Sequence, residues 1–350
     1  MAIEIPGIDV TLEAGTELTP LDKGLISYKH LARWCAAQQN WDKVHYNQDY
    51  ARTYGQLKDV YVNGAIKAQS IVQFLSTSFE RRGWVWRVNT DFCGMDFAEE
   101  HLVVHGSIED VVEAGSYVAV RVGFRINNPD QRADTTKGDA IVLLDPDGEY
   151  VVEVDEQDLP DEWRVDTSIR EAGDDVPSQI REMAGKQVDV IESVIPVDLS
   201  RLRLMADAVM NVNPWHYHPE KAAEGPFGGV VAMPLYPLHG LESWPDAKPF
   251  DPNLESLGRE AVSDIGRLDP ARLGVPPGGI FNGGNFVEIH SLARPGDTLF
   301  GECILAGATY SADHPVGPSI IVDTLNHYRT TAGRALITER QIMGYRVLDG

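Results

Sequence analysis

A twelve-residue segment recurs in this chain, and that recurrence constrains the fold more than any other feature. Asn40-Trp41-Asp42-Lys43-Val44-His45-Tyr46-Asn47-Gln48-Asp49-Tyr50-Ala51 aligns with Asn211-Val212-Asn213-Pro214-Trp215-His216-Tyr217-His218-Pro219-Glu220-Lys221-Ala222. The offset is constant at 171: Asn40 meets Asn211, His45 meets His216, Tyr46 meets Tyr217 and Ala51 meets Ala222. Upstream, residues 31–37 and 202–208 both read as short helices with apolar residues at compatible spacing. Downstream, each copy reaches a glycine beside a small apolar run, at 60–66 and at 228–233. Strand-like text follows in both halves: Tyr117 to Phe124 and Ala140 to Leu144 in the first, Ser319 to Asp323 and Arg334 to Arg340 in the second. The last two flank Thr331-Ala332-Gly333 and read as a hairpin. A duplicated unit explains this better than coincidence does.

The halves are unequal. In the first, Asn63 is a good N-cap, and Ala65, Ile66, Ala68, Ile71, Val72, Phe74 and Leu75 are apolar on most faces of the helix it opens. Such a helix must be wrapped, and sheet is the wrapping at hand. In the second, Pro234 and Pro237 predict a broken or displaced helix. Residues 146–178 are strongly acidic with Pro and Gly near both ends, and they read as a linker with a short element of its own. A second irregular stretch, 243–284, reads as a loop packed over the second half.

Composition narrows the function. With 30 basic and 53 acidic residues the net charge is −23, and no basic cluster offsets it, which excludes nucleic acid as a partner and obliges any anionic substrate to meet local donors. No apolar run approaches the roughly 20 residues of a membrane span, and residues 1–15 lack the basic-then-apolar pattern of a secretory signal. Three scattered cysteines, Cys35, Cys93 and Cys303, form neither a disulfide framework nor a zinc site, so the expected setting is cytoplasmic.

The repeated segment resembles the MaoC-type hydratase/dehydratase family, whose pattern is approximately Asp-x-Asn-Pro-x-His-x-Asp-x-x-Tyr/Phe-Ala with a glycine turn into a central helix. The second half matches through Asn213-Pro214-Trp215-His216 and Ala222, with Gly228 to Pro234 and Arg294-Pro295-Gly296-Asp297-Thr298-Leu299 resembling the fatty-acid-synthase-type dehydratase branch. The first half matches through His45, Tyr50-Ala51 and Val62-Asn63-Gly64. The resemblance implies an α+β chain of two tandem hotdog folds, each an antiparallel sheet around a central helix. The first would occupy 1–145 with the more intact motif, the linker 146–178, and a degenerate second copy 179–350. It also implies reversible hydration of a trans-2-enoyl thioester carried on CoA or a carrier protein, no cofactor, and a homodimer or a hetero-oligomer with a related chain.

On that resemblance His45 is the acid/base and Gly64 N–H the donor to the thioester oxygen, helped by Asn63. A helix N-terminus suits an oxygen that gains negative charge. His216, Asn211 and His218 are the counterparts in the second half. The family's Asp, however, is asparagine in both copies, Asn40 and Asn211. Asparagine holds a water but cannot take its proton. Three readings stand: Asp42 replaces the acid, His45 acts alone, or hydration is lost. The last leaves a non-catalytic acyl-thioester-binding subunit beside an active partner. Simpler uses stand beside these: His45 or His216 as a satisfied core histidine, Asn63 as a cap, Lys43 and Lys67 as solvated lysines rather than contacts to an anionic tail, Trp84-Val85-Trp86 as strand core. No metal is expected, since His216 and His218 have no third ligand nearby in sequence.

Overall fold

The strand-forming text of both halves enters one antiparallel sheet. The computed structural model describes residues 2–241, 265, 268–275 and 279–347. The first half runs β1 (Leu21–Ile26), α1 (Tyr28–Gln38), a 3-10 turn (Lys43–His45), α2 (Gln48–Thr53), α3 (Gly64–Ser78), β2 (Trp84–Phe92), β3 (Glu100–Ala114), β4 (Tyr117–Asn128) and β5 (Ala133–Leu144). After α4 (Ser178–Met183), the second half repeats that order: β6 (Gln187–Glu192), α5 (Leu199–Ala208), a 3-10 turn (Pro214–His216), α6 (Pro219–Ala223) and α7 (Tyr236–Gly240). It ends with α8 (Pro270–Leu273), β7 (Ile280–Ile289), β8 (Leu299–Ser311), β9 (Ser319–Thr330) and β10 (Ala335–Arg346). β9 and β10 form the hairpin expected around residues 331–333.

The ten strands are ordered β1-β3-β4-β5-β2-β7-β10-β9-β8-β6. Each half contributes five neighbours, and the halves join where β2 pairs with β7, from Arg87↔Glu288 to Asp91↔Gly284. A Cβ at Gly284 would collide with the Thr90 carbonyl oxygen, so glycine is what lets the strands close there. The two halves thus pair edge to edge inside one chain.

α3 is buried without interruption from Ala65 to Leu75, as a helix apolar on most faces must be. Its polar residues are paired rather than solvated. Lys23 on β1 donates to the Gln73 side chain (2.7 Å) and to the Val209 carbonyl (2.5 Å), and Gln73 donates to the Met210 carbonyl, tying α3 to the end of α5. Burial pushes the Lys23 ammonium down to about 8 from 10.5. Between those values the unfolded chain keeps a proton that the folded chain releases, so stability rises with pH across that window. Relative to Lys23→Met, wild type is expected to gain up to about 3 kcal/mol of unfolding free energy between pH 7.5 and 10.5, at 1.36 kcal/mol per pH unit. Urea titrations of both proteins at those two values check this.

Lys67 corrects the expectation of a solvated lysine. It is 2% exposed, pairs with the fully buried Asp96 at 2.6 Å and donates to the Gly94 carbonyl at 2.8 Å. Asn128 and Thr135 donate to the Asp96 oxygens, each at 2.8 Å. The network fastens the β2–β3 loop over the start of α3, where the Phe92 ring also packs against Gly64.

Among the described residues the second half's counterpart of the fifteen-residue α3 is the five-residue α7, short as Pro234 and Pro237 implied. Pro237 lies in the first turn of α7, where a missing N–H costs little, and Pro234 precedes it. Most of 243–279 lies outside the described residues; within the expected loop, α8 and the first residues of β7 are ordered secondary structure. The linker carries two 3-10 turns, Glu156–Asp158 and Asp161–Trp163, and crosses the sheet as a strap. Arg87 donates to the Trp163 carbonyl, Arg340 to the Asp166 carbonyl, and Gly173 N–H to the Ala308 carbonyl.

Candidate active site

Both copies of the motif build a similar local device, an Asn-anchored capped turn that presents a histidine. In the first, Asn40 Oδ1 accepts the Asp42 N–H (3.1 Å), and Asp42 Oδ1 caps the following 3-10 turn at the Val44 N–H (3.4 Å). That turn presents His45, whose Nδ1 lies 3.0 Å from the Tyr61 carbonyl oxygen and whose Nε2 lies 3.3 Å from Asn63 Nδ2. A carbonyl only accepts, so Nδ1 carries the proton and Nε2 is the basic atom. In the second copy, Asn211 Oδ1 accepts the Asn213 N–H (3.0 Å), and Asn213 Oδ1 caps the turn at the Trp215 N–H (3.2 Å). His216 Nδ1 lies 3.1 Å from the Val231 carbonyl oxygen, and its Nε2 lies 3.3 Å from Asn213 Nδ2. Both rings are buried, at 5% and 6% exposure. Burial pushes His216 down to about 4, helped by the charge of Arg81 and opposed by the Val231 hydrogen bond, so the ring is neutral at pH 7.

Matching the two carbonyl contacts aligns Tyr61 with Val231 and therefore Gly64 with Pro234. The first half keeps a helix-opening amide at that position, and its Asn63 cap is spent on the Ala65 N–H (2.8 Å) rather than on Gly64. The second half has a proline there, with no N–H to give. Any donor to a ligand oxygen in the second copy must come from elsewhere.

Each copy leans on the opposite half. A cavity of about 50 Å³ opens beside His216, Asn211 and Asn213 and runs along Gln69, Val72 and Gln73 of α3 toward Trp84. Roughly 10–15 Å³ suffices for one water, so the space takes several waters or a small polar group. Among the described residues lining it there is no carboxylate, and Pro234 forms part of the wall. At the first copy the link across is Gln38: Asn40 Nδ2 lies 3.4 Å from its Oε1, and its Nε2 lies 3.3 Å from His239 Nδ1 of α7. His239 stacks edge-on against Trp34, and burial pushes it down to about 3.

Several expectations change here. His218 is not among the residues lining the cavity; its backbone carbonyl accepts the Ala222 N–H to start α6. Lys43 Nζ sits 5.9 Å over the Tyr50 ring. Trp84 is strand core as expected, its indole donating to the Ile289 carbonyl at 2.9 Å, yet it also forms part of the cavity wall. Gln69, Gln73, Arg81 and His239 were missed. The glutamines left a signal, two amides four residues apart in a helix apolar on most faces; His239 lies outside the constant offset and left none. Glu156, Glu288 and His290 approach closely enough to hold a metal ion, but Arg164 Nη1 lies 2.9 Å from both carboxylates and takes the cation's place. That cluster fastens the linker to β7.

No protein-family profile matches the sequence, and no curated protein matches it. Solved structures do. A putative MaoC domain protein dehydratase from Chloroflexus aurantiacus J-10-fl superposes with a TM-score of 0.62 at 11% identity, over 96% of each chain. A structure described as a MaoC-like dehydratase gives 0.58 at 13% identity, over 96% of this chain and 98% of that one. A conserved hypothetical protein from Mycobacterium tuberculosis, described as a double hotdog, gives 0.56 at 11% identity over 94% and 96%. The chain is an α+β double hotdog. Its fold is that of the MaoC-like dehydratases, as the motif resemblance implied.

Proposed function

We propose that this protein is a hydratase/dehydratase acting on a trans-2-enoyl thioester, adding water across the double bond or removing it from the 3-hydroxyacyl form. The observation that carries the reading is the cavity beside His216, which joins a neutral imidazole, two amides and the opposite half's central helix. Two sets of residues are candidates: His45 with Asn40, Asp42, Asn63 and Gly64, and His216 with Asn211 and Asn213. The cavity favours the second as the station that holds the acyl group. There Nε2 of His216 takes a proton from water while the amides orient that water, and the reverse step returns it. CoA or a carrier protein would bear the thioester, and a homodimer or a pairing with a related chain is compatible with the free edges at β1 and β6.

The test is loss of enoyl-thioester absorbance on mixing crotonyl-CoA with the protein. Turnover supports the reading. Binding without turnover supports a second one, an acyl-thioester-binding subunit, which the lack of a carboxylate among the described residues of the cavity favours. If His216 is the base, the acid limb of kcat/KM falls near pH 4, not near the ordinary histidine value of about 6.5. A pH profile from 3.5 to 8 measures it.

A further inference from the structure

Gln69 is 2% exposed, and its Nε2 has no hydrogen-bond partner among the described residues. Arg81 Nε is likewise buried and unpartnered. Both residues line the cavity beside His216. Burying an N–H without an acceptor costs about 1–3 kcal/mol, so two such donors on residues that line one space suit a group that arrives with acceptors. The neighbouring amide does not compete for that role: Gln73 is already engaged, its Oε1 by Lys23 and its Nε2 by the Met210 carbonyl. With no carboxylate among the described lining residues and a guanidinium beside them, this is a donor-rich pocket inside a chain of net charge −23. An unsubstituted hydrocarbon tail would leave both donors unsatisfied.

We infer that the acyl group carried by this protein's thioester substrate bears a carboxylate, held by Gln69 and Arg81. The inference rests on the enoyl-thioester reading above and deepens it by naming the substrate class. The donors face an oxyanion in the substrate itself, which accounts for their being left unpaired in the protein alone. A carboxylate in a bidentate or paired contact with a guanidinium gains both charge and geometry.

The experiment compares crotonyl-CoA with glutaconyl-CoA, the same enoyl thioester with a carboxylate on its terminal carbon. Wild type is expected to favour glutaconyl-CoA at least tenfold in kcat/KM. Gln69→Leu and Arg81→Gln should each lower that ratio tenfold or more, and Arg81→Lys should restore part of it; thermal melts confirm that the variants are folded. A wild-type preference for crotonyl-CoA overturns the inference while leaving hydration intact. So does an equal loss on both substrates, which would place the donors on the shared thioester. If neither substrate turns over, the hydration reading fails, and calorimetry with butyryl-CoA and glutaryl-CoA decides the inference separately. Tighter glutaryl-CoA binding that is lost in Arg81→Gln supports it; equal binding, or none, overturns it.

Discussion

His216→Ala is expected to lower kcat/KM for enoyl-thioester hydration by at least roughly 100-fold, within the range of about 10²–10⁴ that a positioned acid/base contributes. The reason is local. Once the ring is gone, the cavity wall keeps the amides of Asn211 and Asn213, and amides cannot take a proton. His45→Ala is expected to lose less, since the described cavity lies at the other copy. Asp42→Asn separates the readings further: if the first copy also turns over, Asp42→Asn removes the carboxylate that caps the turn bearing His45 and leaves the second copy running. Rates for the three variants, with melting temperatures to confirm folding, check the order. A larger loss in His45→Ala would move the chemistry to the first half.

Asp96→Asn should destabilise the protein by about 3–5 kcal/mol, the cost of leaving a buried charge without its counter-ion. The substitution keeps shape and removes charge, so packing is not what changes. Lys67, in the first turns of α3, would keep the Gly94 carbonyl as a partner, at the positive end of a helix where a cation is already disfavoured. Burial already holds the Lys67 ammonium below its ordinary range, with Asp96 opposing that shift. Replacing both partners by apolar residues, Lys67→Met with Asp96→Leu, should recover much of the loss. Urea unfolding of the single and double variants measures both effects, and an Asp96→Asn protein within 1 kcal/mol of wild type, on the scale of a surface pair, would contradict the account.

Much of the architecture was legible because it is written locally. The repeat at a fixed offset, the apolar sweep of α3, the Asn63 cap and the turn at 331–333 each need only neighbouring residues to be understood, and each is found in the fold. The placement of the site was not. It depends on β2 pairing with β7, which sets α3 of one half against the motif of the other, and nothing local to Gln69 points to a histidine 147 residues further along. Lys67 misled for a related reason: its partner, Asp96, lies beyond β2, and without that pairing a lysine in a helix reads as solvated. The proline reading matched the shortness of α7 but not the position of the break, because Pro237 lies in the first turn of α7 rather than inside a longer helix. The apparent degeneracy of the second half likewise concealed that its histidine is held through Nδ1 by a backbone carbonyl at 3.1 Å, against 3.0 Å in the first.

The central claim is that the two halves close on one acyl site, with an imidazole of one facing the central helix of the other. A crystal structure with a non-reactive enoyl-thioester analogue tests it most directly. The account predicts the acyl carbons between the His216 ring and α3, with the Gln69 side chain within hydrogen-bond distance of the ligand. An analogue seated on the outer face of the sheet, or one that leaves the space around His216 untouched, would contradict it.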